Sequence, residues 1–426
     1  MSLSSLYTGI SGLDAYSDAM SVIGNNIANV NTVGFKASRI SFEDILSQSM
    51  VGATGQMQIG RGVQVASVQR LFAQSTFQTT TSATDLAIDG EGFFIVSKEG
   101  TTLYTRAGQF YMDQDGRVVN HRGYVLQGWL LDDAGGVTSS LQDINLSTIS
   151  SAPRATSEVE MYVNLDVNES VISDPWDVSD PRATSNYTAP ITVYDAMGNG
   201  HLVNVYFRKL DNTTWEWHAV LDQGELEGGV QGINQEVASG TLVFTNGRLQ
   251  TENLGTAFSA QFFGTQSAQT IDLDFGESID EGGTGLDGTT QFAGGCSTKF
   301  LSQDGYTQGN LMSIQVDDDG MISGLFSNGQ SRELYQVALC RFTSPWGLTA
   351  MGGNLFAENT LSGPPIIGPP GSSGLGQINS NSLELSNVDL ASEFVEMIKT
   401  QQAFQANSRV ITTTDQMLQE LVNLKR

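Results

Sequence analysis

Three histidines, His121, His201 and His218, are the first candidates for acid–base chemistry in this chain of 426 residues. None stands in a pattern that such chemistry uses. There is no H-E-x-x-H pair for a zinc hydrolase and no P-loop for phosphate. There is no G-x-S-x-G elbow for a serine nucleophile. Gly90-Glu91-Gly92 lacks the third glycine of a dinucleotide fingerprint. Carboxylates gather at Asp113-Gln114-Asp115-Gly116, at Asp317-Asp318-Asp319-Gly320, and at Asp272, Asp274, Glu277, Asp280 and Glu281. A calcium loop of the EF-hand type needs a Glu at its twelfth position, and none of these stretches supplies it. Asp is also a preferred turn residue, so solvated hairpin turns account for them. Cys296 and Cys340 are too few for a disulfide framework. Each reads as a small buried apolar residue, and a single bridge between them stays open. Tyr206, Trp215 and Trp217 offer a sugar-binding platform or, preferably, cross-strand aromatic pairs in a core. No catalytic residue, cofactor site or metal site is assigned.

The elements around these residues are of two kinds. Leu3, Leu6, Ile10, Leu13, Met20 and Ile27 recur with alternating spacings of three and four, through Ser17 and Gly24. That pattern predicts an amphipathic helix with a heptad seam, ending near Asn29–Asn31. Leu390, Phe394, Met397, Phe404, Ile411, Leu418 and Val422 keep the same spacing at the other end, through Gln401, Ser408 and Asp415. Ser386 or Asn387 can cap that helix, with Asp389 in its first turn. Polar positions make both seams marginal as an isolated coil, which suits helices that bury surface against neighbouring molecules. Between the ends the pattern is β. Leu86–Val96 reads as two short strands about a glycine turn, and Ala196-Met197-Gly198-Asn199-Gly200 is a hairpin signal between apolar strands. Residues 44–76 have little periodicity and read as an extended connector.

The formal charge is −26, from 46 acids and 20 bases. It is unevenly placed. Residues 151–297 carry 21 acids against five bases, net −16, whereas residues 1–75 are neutral and residues 385–426 carry net −1. Such a chain is repelled by phosphate backbones and by anionic lipid, so nucleic-acid and membrane-surface partners are poor expectations. No run of 18 apolar residues occurs, so membrane insertion is not expected. The first residues lack the basic and apolar regions of a secretory leader. The near-neutral ends are the parts able to pack closely against copies of themselves.

At this point the residues resemble those of a known family. Asn25-Asn26-Ile27-Ala28-Asn29-Val30-Asn31-Thr32-Val33-Gly34-Phe35-Lys36 is similar to the motif that follows the N-terminal helix in bacterial flagellar rod and hook axial proteins. Leu86-Ala87-Ile88 through Phe93-Phe94, and Tyr104-Thr105-Arg106-Ala107-Gly108-Gln109-Phe110, resemble the first β-domain of that family. Ser386 to Ile398, with Asn387 and Asp389, and Ala406 to Leu421, with Asn407 and Ser408, resemble its C-terminal axial helix. Gln402-Ala403-Phe404 stands where the family often has Arg-Ala-Tyr, a departure that keeps the apolar seam. The resemblance implies a multidomain fold, with mainly β domains nested between N- and C-terminal α-helices that pair as a coiled-coil-like axial domain. Residues 1–32 plus 386–426 would form that axial part, 33–76 a connector, 77–150 plus 298–385 an inner β-domain and 151–297 an outer acidic β-domain.

The acidic insertion looks like the outer domain of the family's hook members. That implies a structural, non-enzymatic subunit of a homopolymeric helical tube, a flexible joint passing motor torque around a central export channel. It further implies an extracellular place on the basal body, reached by type III export without a cleaved signal peptide. The implied partners are copies of itself, the distal rod protein, the hook cap, the hook-length control protein and the hook–filament junction protein. Another axial component, from the distal rod or the hook–filament junction, is the nearest alternative. A secreted glycan-binding β-protein is a more distant one.

Overall fold

The computed structural model describes residues 2–45, 49–52, 55–58, 61–132, 136–137, 140–147 and 149–423, without side chains for 2–4, 49–58 and 421. The chain is mainly β, with a helix at each end, and divides into two compact units. The first holds residues 1–149, 313–325 and 331–426, and the second holds 150–312 and 326–330.

In the first unit, α1 (Ser2–Ala28) and α2 (Leu390–Asn423) are ~40 and ~51 Å long at ~1.5 Å per residue. The cap of α2 differs from the sequence expectation. Asp389 itself accepts from the Ala391 amide at 2.9 Å, which leaves Asn387 for another task. The connector differs too. Ser38–Asp44 pairs antiparallel with Val63–Arg70, so residues 33–76 contain a two-stranded ribbon rather than only an extended link. Alternation was obscured there because neither ribbon strand has a buried residue: all are half-buried or exposed.

The sheet of this unit is built on Phe93–Lys98. That strand forms a hairpin with Thr101–Thr105 and also pairs with Val125–Leu130 and Leu339–Arg341. Its turn, Glu99-Gly100, has both φ angles positive, the geometry that matches strand twist. Phe93, Ile95, Tyr104, Cys340, Phe342 and Phe356 form a small core. The Phe93 ring meets Phe342 and Phe356 edge-on at 5.9 Å each. The two strands read from Leu86–Val96 do not pair with each other. Leu86–Asp89 instead pairs with Gln377–Ser380, bringing the chain's beginning and end together.

The second unit contains a five-stranded antiparallel meander from Tyr187–Tyr194 to Arg248–Thr256. A second sheet places Glu158–Asn164 between Gln269–Asp274, which runs parallel to it, and Ser297–Gln303, which runs antiparallel. That last pairing puts residues 298–312 in the second unit, where the sequence reading had them in the inner β-domain. The strand's residues are mostly exposed and show no apolar alternation to reveal its partner. The hairpin at 196–200 forms as expected, with the Asp195 carboxylate accepting from the Met197 and Asn199 amides at 2.8 Å each.

Candidate functional site: the terminal helices and their anchor

Small residues set how α1 meets α2. The buried face of α1 is Gly9, Gly12, Ala15, Ala19, Ile23 and Asn26. A Cβ on Gly12 would lie 2.8 Å from the Asn407 amide carbon, and one on Gly9 would lie 3.0 Å from Ile411 Cγ1. The face inside the chain is therefore rotated by one residue, about 100°, from the apolar seam expected on α1. Leu6, Leu13, Met20 and Ile27 lie at its margin, half-buried, and Ile10 is exposed. The side chain of Leu3 lies outside the described residues. On α2, Met397, Phe404, Ile411 and Leu418 are half-buried beside buried Thr400 and Thr414, whereas Leu390, Phe394 and Val422 are exposed. Counting large apolar residues misplaced the α1 face because close approach selects Gly and Ala, whose contribution is the absence of bulk. Gly12→Leu is expected to part the helices, so that amides of α1 and α2 exchange at least tenfold faster while those of 93–105 stay protected. Unchanged helix protection would contradict this packing.

Below the helices an anchor ties the two ends of the chain. The Lys36 ammonium, fully buried, donates to Glu384 Oε1 at 2.6 Å and to the Ala73 carbonyl at 2.9 Å. Arg106 Nε donates to Glu384 Oε2 at 3.0 Å, and its Nη1 donates to the carbonyls of Gly90 and Gly92. The Ser75 amide completes the shell of Glu384 at 2.9 Å. Around this cluster, Asn387 accepts from the Ala37 amide at 2.7 Å and donates to the Leu71 carbonyl at 2.7 Å. Asn26 accepts from the Ser38 amide at 2.9 Å and donates to the Ser38 carbonyl and to Glu393.

The motif residues thus divide by task. Asn25, Asn29 and Thr32 bond to one another and terminate α1. Gly34 turns the chain with φ +67° and its amide donates to the Glu384 carbonyl at 2.8 Å. Phe35 is buried, and its carbonyl accepts from the Asn387 amide. Asn407 packs on α1, Asp389 caps α2, Ser408 is half-buried and Asn31 is exposed.

Burial alone would raise the Glu384 carboxyl, but Arg106 and Lys36 overcome it and hold the group below the ordinary carboxylate value. Burial lowers the Lys36 ammonium, Arg106 pushes the same way, and Glu384 opposes both. Two cations share one anion here, so backbone carbonyls must carry the remaining donors. Glu384 and Arg106 were absent from the residues singled out as a site in the sequence. The available signal was local: Glu384 is an acid between Leu383 and Leu385.

The other chemically suggestive residues take structural places. The Asp113 and Asp317 carboxylates accept amides of their own turns. His201 lies between Asp195 and Glu225, and His218 stacks on Trp176 at 4.0 Å. Trp215 and Trp217 are fully buried and Tyr206 nearly so, which removes the sugar platform. Gly240 makes room for Trp217, whose Nε1 would lie 2.7 Å from an added Cβ. Cys296 and Cys340 are free thiols.

Comparison with known proteins agrees with the helix motifs. Four family models match in order along the chain. They are Flagella basal body rod protein (residues 6–36), Flagellar hook protein FlgE/F/G D1 domain (87–169), Flagellar basal body protein FlaE D2 domain (164–306) and Flagellar basal body rod FlgEFG protein C-terminal (379–424). The chain is 39% identical to the flagellar hook protein FlgE of Borreliella burgdorferi, over 99% of both chains. It is 34% identical to that of Treponema pallidum over 99% of both, and 34% to that of Salmonella typhimurium over 98% of both.

Proposed function

Because this chain belongs to the flagellar hook protein family, we propose that it polymerises into the hook, a tubular joint outside the cell that carries motor torque. The observation that carries this reading is apolar surface left open on the helices. Tyr7, Ile10, Phe394, Val395, Ile398 and Met417 are each at least two-fifths exposed. Helices held together by Gly and Ala keep their large side chains for other molecules. In the assembled tube α1 and α2 pair as a coiled-coil-like axial domain, and the seam of Leu6, Ile10, Leu13, Met20 and Ile27 packs on neighbouring copies around an export channel. Contacts of this kind join unlike surfaces and repeat without closing, which yields a filament. The anchor at Glu384 fixes the angle at which both helices leave the β-domain, so one geometry is passed to every copy.

The second unit, with its acidic excess, forms the outer layer. There like charge keeps neighbouring units from adhering and lets them slide as the joint bends. The ends of the tube meet the distal rod protein, the hook cap, the hook-length control protein and the hook–filament junction protein. Leu13→Asp tests this reading. It places a charge on the seam and leaves residues 93–105 untouched, so sedimentation is expected to show no polymer while the β-sheet stays folded. Normal polymer from this variant would refute the role given to the seam.

A further inference from the structure

A groove in the first unit has a composition that packing of the helices does not use. Residues 71–74 and 343–346 line it together with Gly90–Phe93, as two adjoining hollows of about 310 and 440 Å³. Its lining is aromatic, with Phe72, Phe93 and Phe342, and Trp346 beside them is 69% exposed. Leu361, 76% exposed, belongs to the neighbouring loop, where a Cβ on Gly347 would lie 2.4 Å from the Leu361 carbonyl carbon. Arg341 also lines the groove. Its Nε is buried without a hydrogen-bond partner, and among the described residues no carboxylate pairs with it. Glu91 also lines the groove but lies outside ion-pair distance, and Arg106 is committed to Glu384. The guanidinium is half-buried without a counterion, so a carboxylate arriving from another molecule gains a charge-assisted contact with it.

The same chain carries a surface of matching chemistry. In the second unit, the Phe263 amide donates to the Glu225 carbonyl and the Glu227 amide to the Gln261 carbonyl, at 2.9 Å each, which joins two loops into a tip. Phe263, Met197 and Val230 are 69%, 61% and 58% exposed on it. The Glu227 carboxylate is exposed beside them and accepts from the Gly264 amide at 3.2 Å. We propose that the groove of one copy receives the tip of a second copy, with Phe263 between the aromatic walls and Glu227 on Arg341. An acidic, aromatic knob fits an aromatic groove holding an unpaired cation. Groove and tip are different surfaces, so every copy offers one of each and the contact propagates.

This inference rests on the assembly reading above, and its test separates the two. Full-length chain carrying photoreactive benzoylphenylalanine at position 346 is polymerised, irradiated and digested. The expected product is an adduct between copies, mapping to residues 225–264. Wild-type chain that forms no polymer would overturn the assembly reading. Normal polymer whose adducts map elsewhere, or to another protein, would overturn the groove assignment alone. If the position 346 variant does not assemble, the probe at Leu361 takes its place with the same expectation. Arg341→Glu is expected to raise the concentration needed for polymerisation about tenfold, as losing one charge-assisted contact would. Adding Glu227→Arg to that chain is expected to restore it, and failure of the pair to rescue would also overturn the assignment.

Discussion

Glu384→Gln is expected to destabilise the first unit by about 3–5 kcal/mol, the cost of leaving buried charge without its counterion. The amide keeps the shape of the carboxylate, so the loss reads charge rather than packing. Lys36 and Arg106 would both remain buried, with carbonyls but no anion. Adding Lys36→Met removes one stranded cation and should return part of the loss. Hydrogen exchange at residues 86–105 measures both variants without interference from the second unit. A loss below about 1 kcal/mol would mean that the cluster is solvated and holds nothing together. The same cluster sets a pH dependence. The Glu384 carboxyl titrates below its unfolded value, so its contribution is complete above the ordinary carboxylate range and fades as pH falls through the folded value. The lowered Lys36 acts in a separate window, between its folded value and the ordinary lysine value, where stability rises with pH because the unfolded chain holds that proton more tightly. Through Glu384, the wild type should weaken as pH falls below the ordinary carboxylate value. The Glu384→Gln variant should show a flatter slope there.

Gly34→Ala is expected to cost about 2–5 kcal/mol, from two separate sources. Its φ of +67° disfavours any residue with a Cβ by about 1–2 kcal/mol. The added Cβ would lie 2.7 Å from the Ala107 nitrogen and α-carbon, and overpacking costs about 1–3 kcal/mol. Backbone cannot rotate away as a side chain can, so the segment between α1 and Lys36 must shift. That shift pulls the Gly34 amide from the Glu384 carbonyl and loosens the anchor. Thermal unfolding of the first unit and polymer yield should fall together. An unchanged yield with lowered stability would show that the angle of α1 is not set at this turn.

Much of this architecture was visible in the residues, and the misses share a cause. The two helices were legible because apolar spacing of three and four persists over many turns. The hairpin at 196–200 was legible because Gly198, Asn199 and Gly200 are turn residues between two apolar strands. The face joining α1 to α2 was not, because Gly9, Gly12, Ala15 and Ala19 carry no hydrophobic signal. The anchor was half visible: Lys36, Arg106 and Asn387 lie in motifs, but the contact of Lys36 with Glu384 spans 348 residues of sequence. Local periodicity says nothing about such a contact. The ribbon of Ser38–Asp44 with Val63–Arg70 was missed for a related reason. Its strands are stabilised by pairing more than by a buried face.

The most direct test of the central claim is electron cryomicroscopy of polymer grown from the purified chain. The account predicts a tube whose inner wall is α1 and α2 of successive copies. Phe394, Val395 and Ile398 should be covered by a neighbour, and Glu384 should still lie between Lys36 and Arg106. A polymer joined only through the second unit, with those helix faces open to solvent, would contradict it.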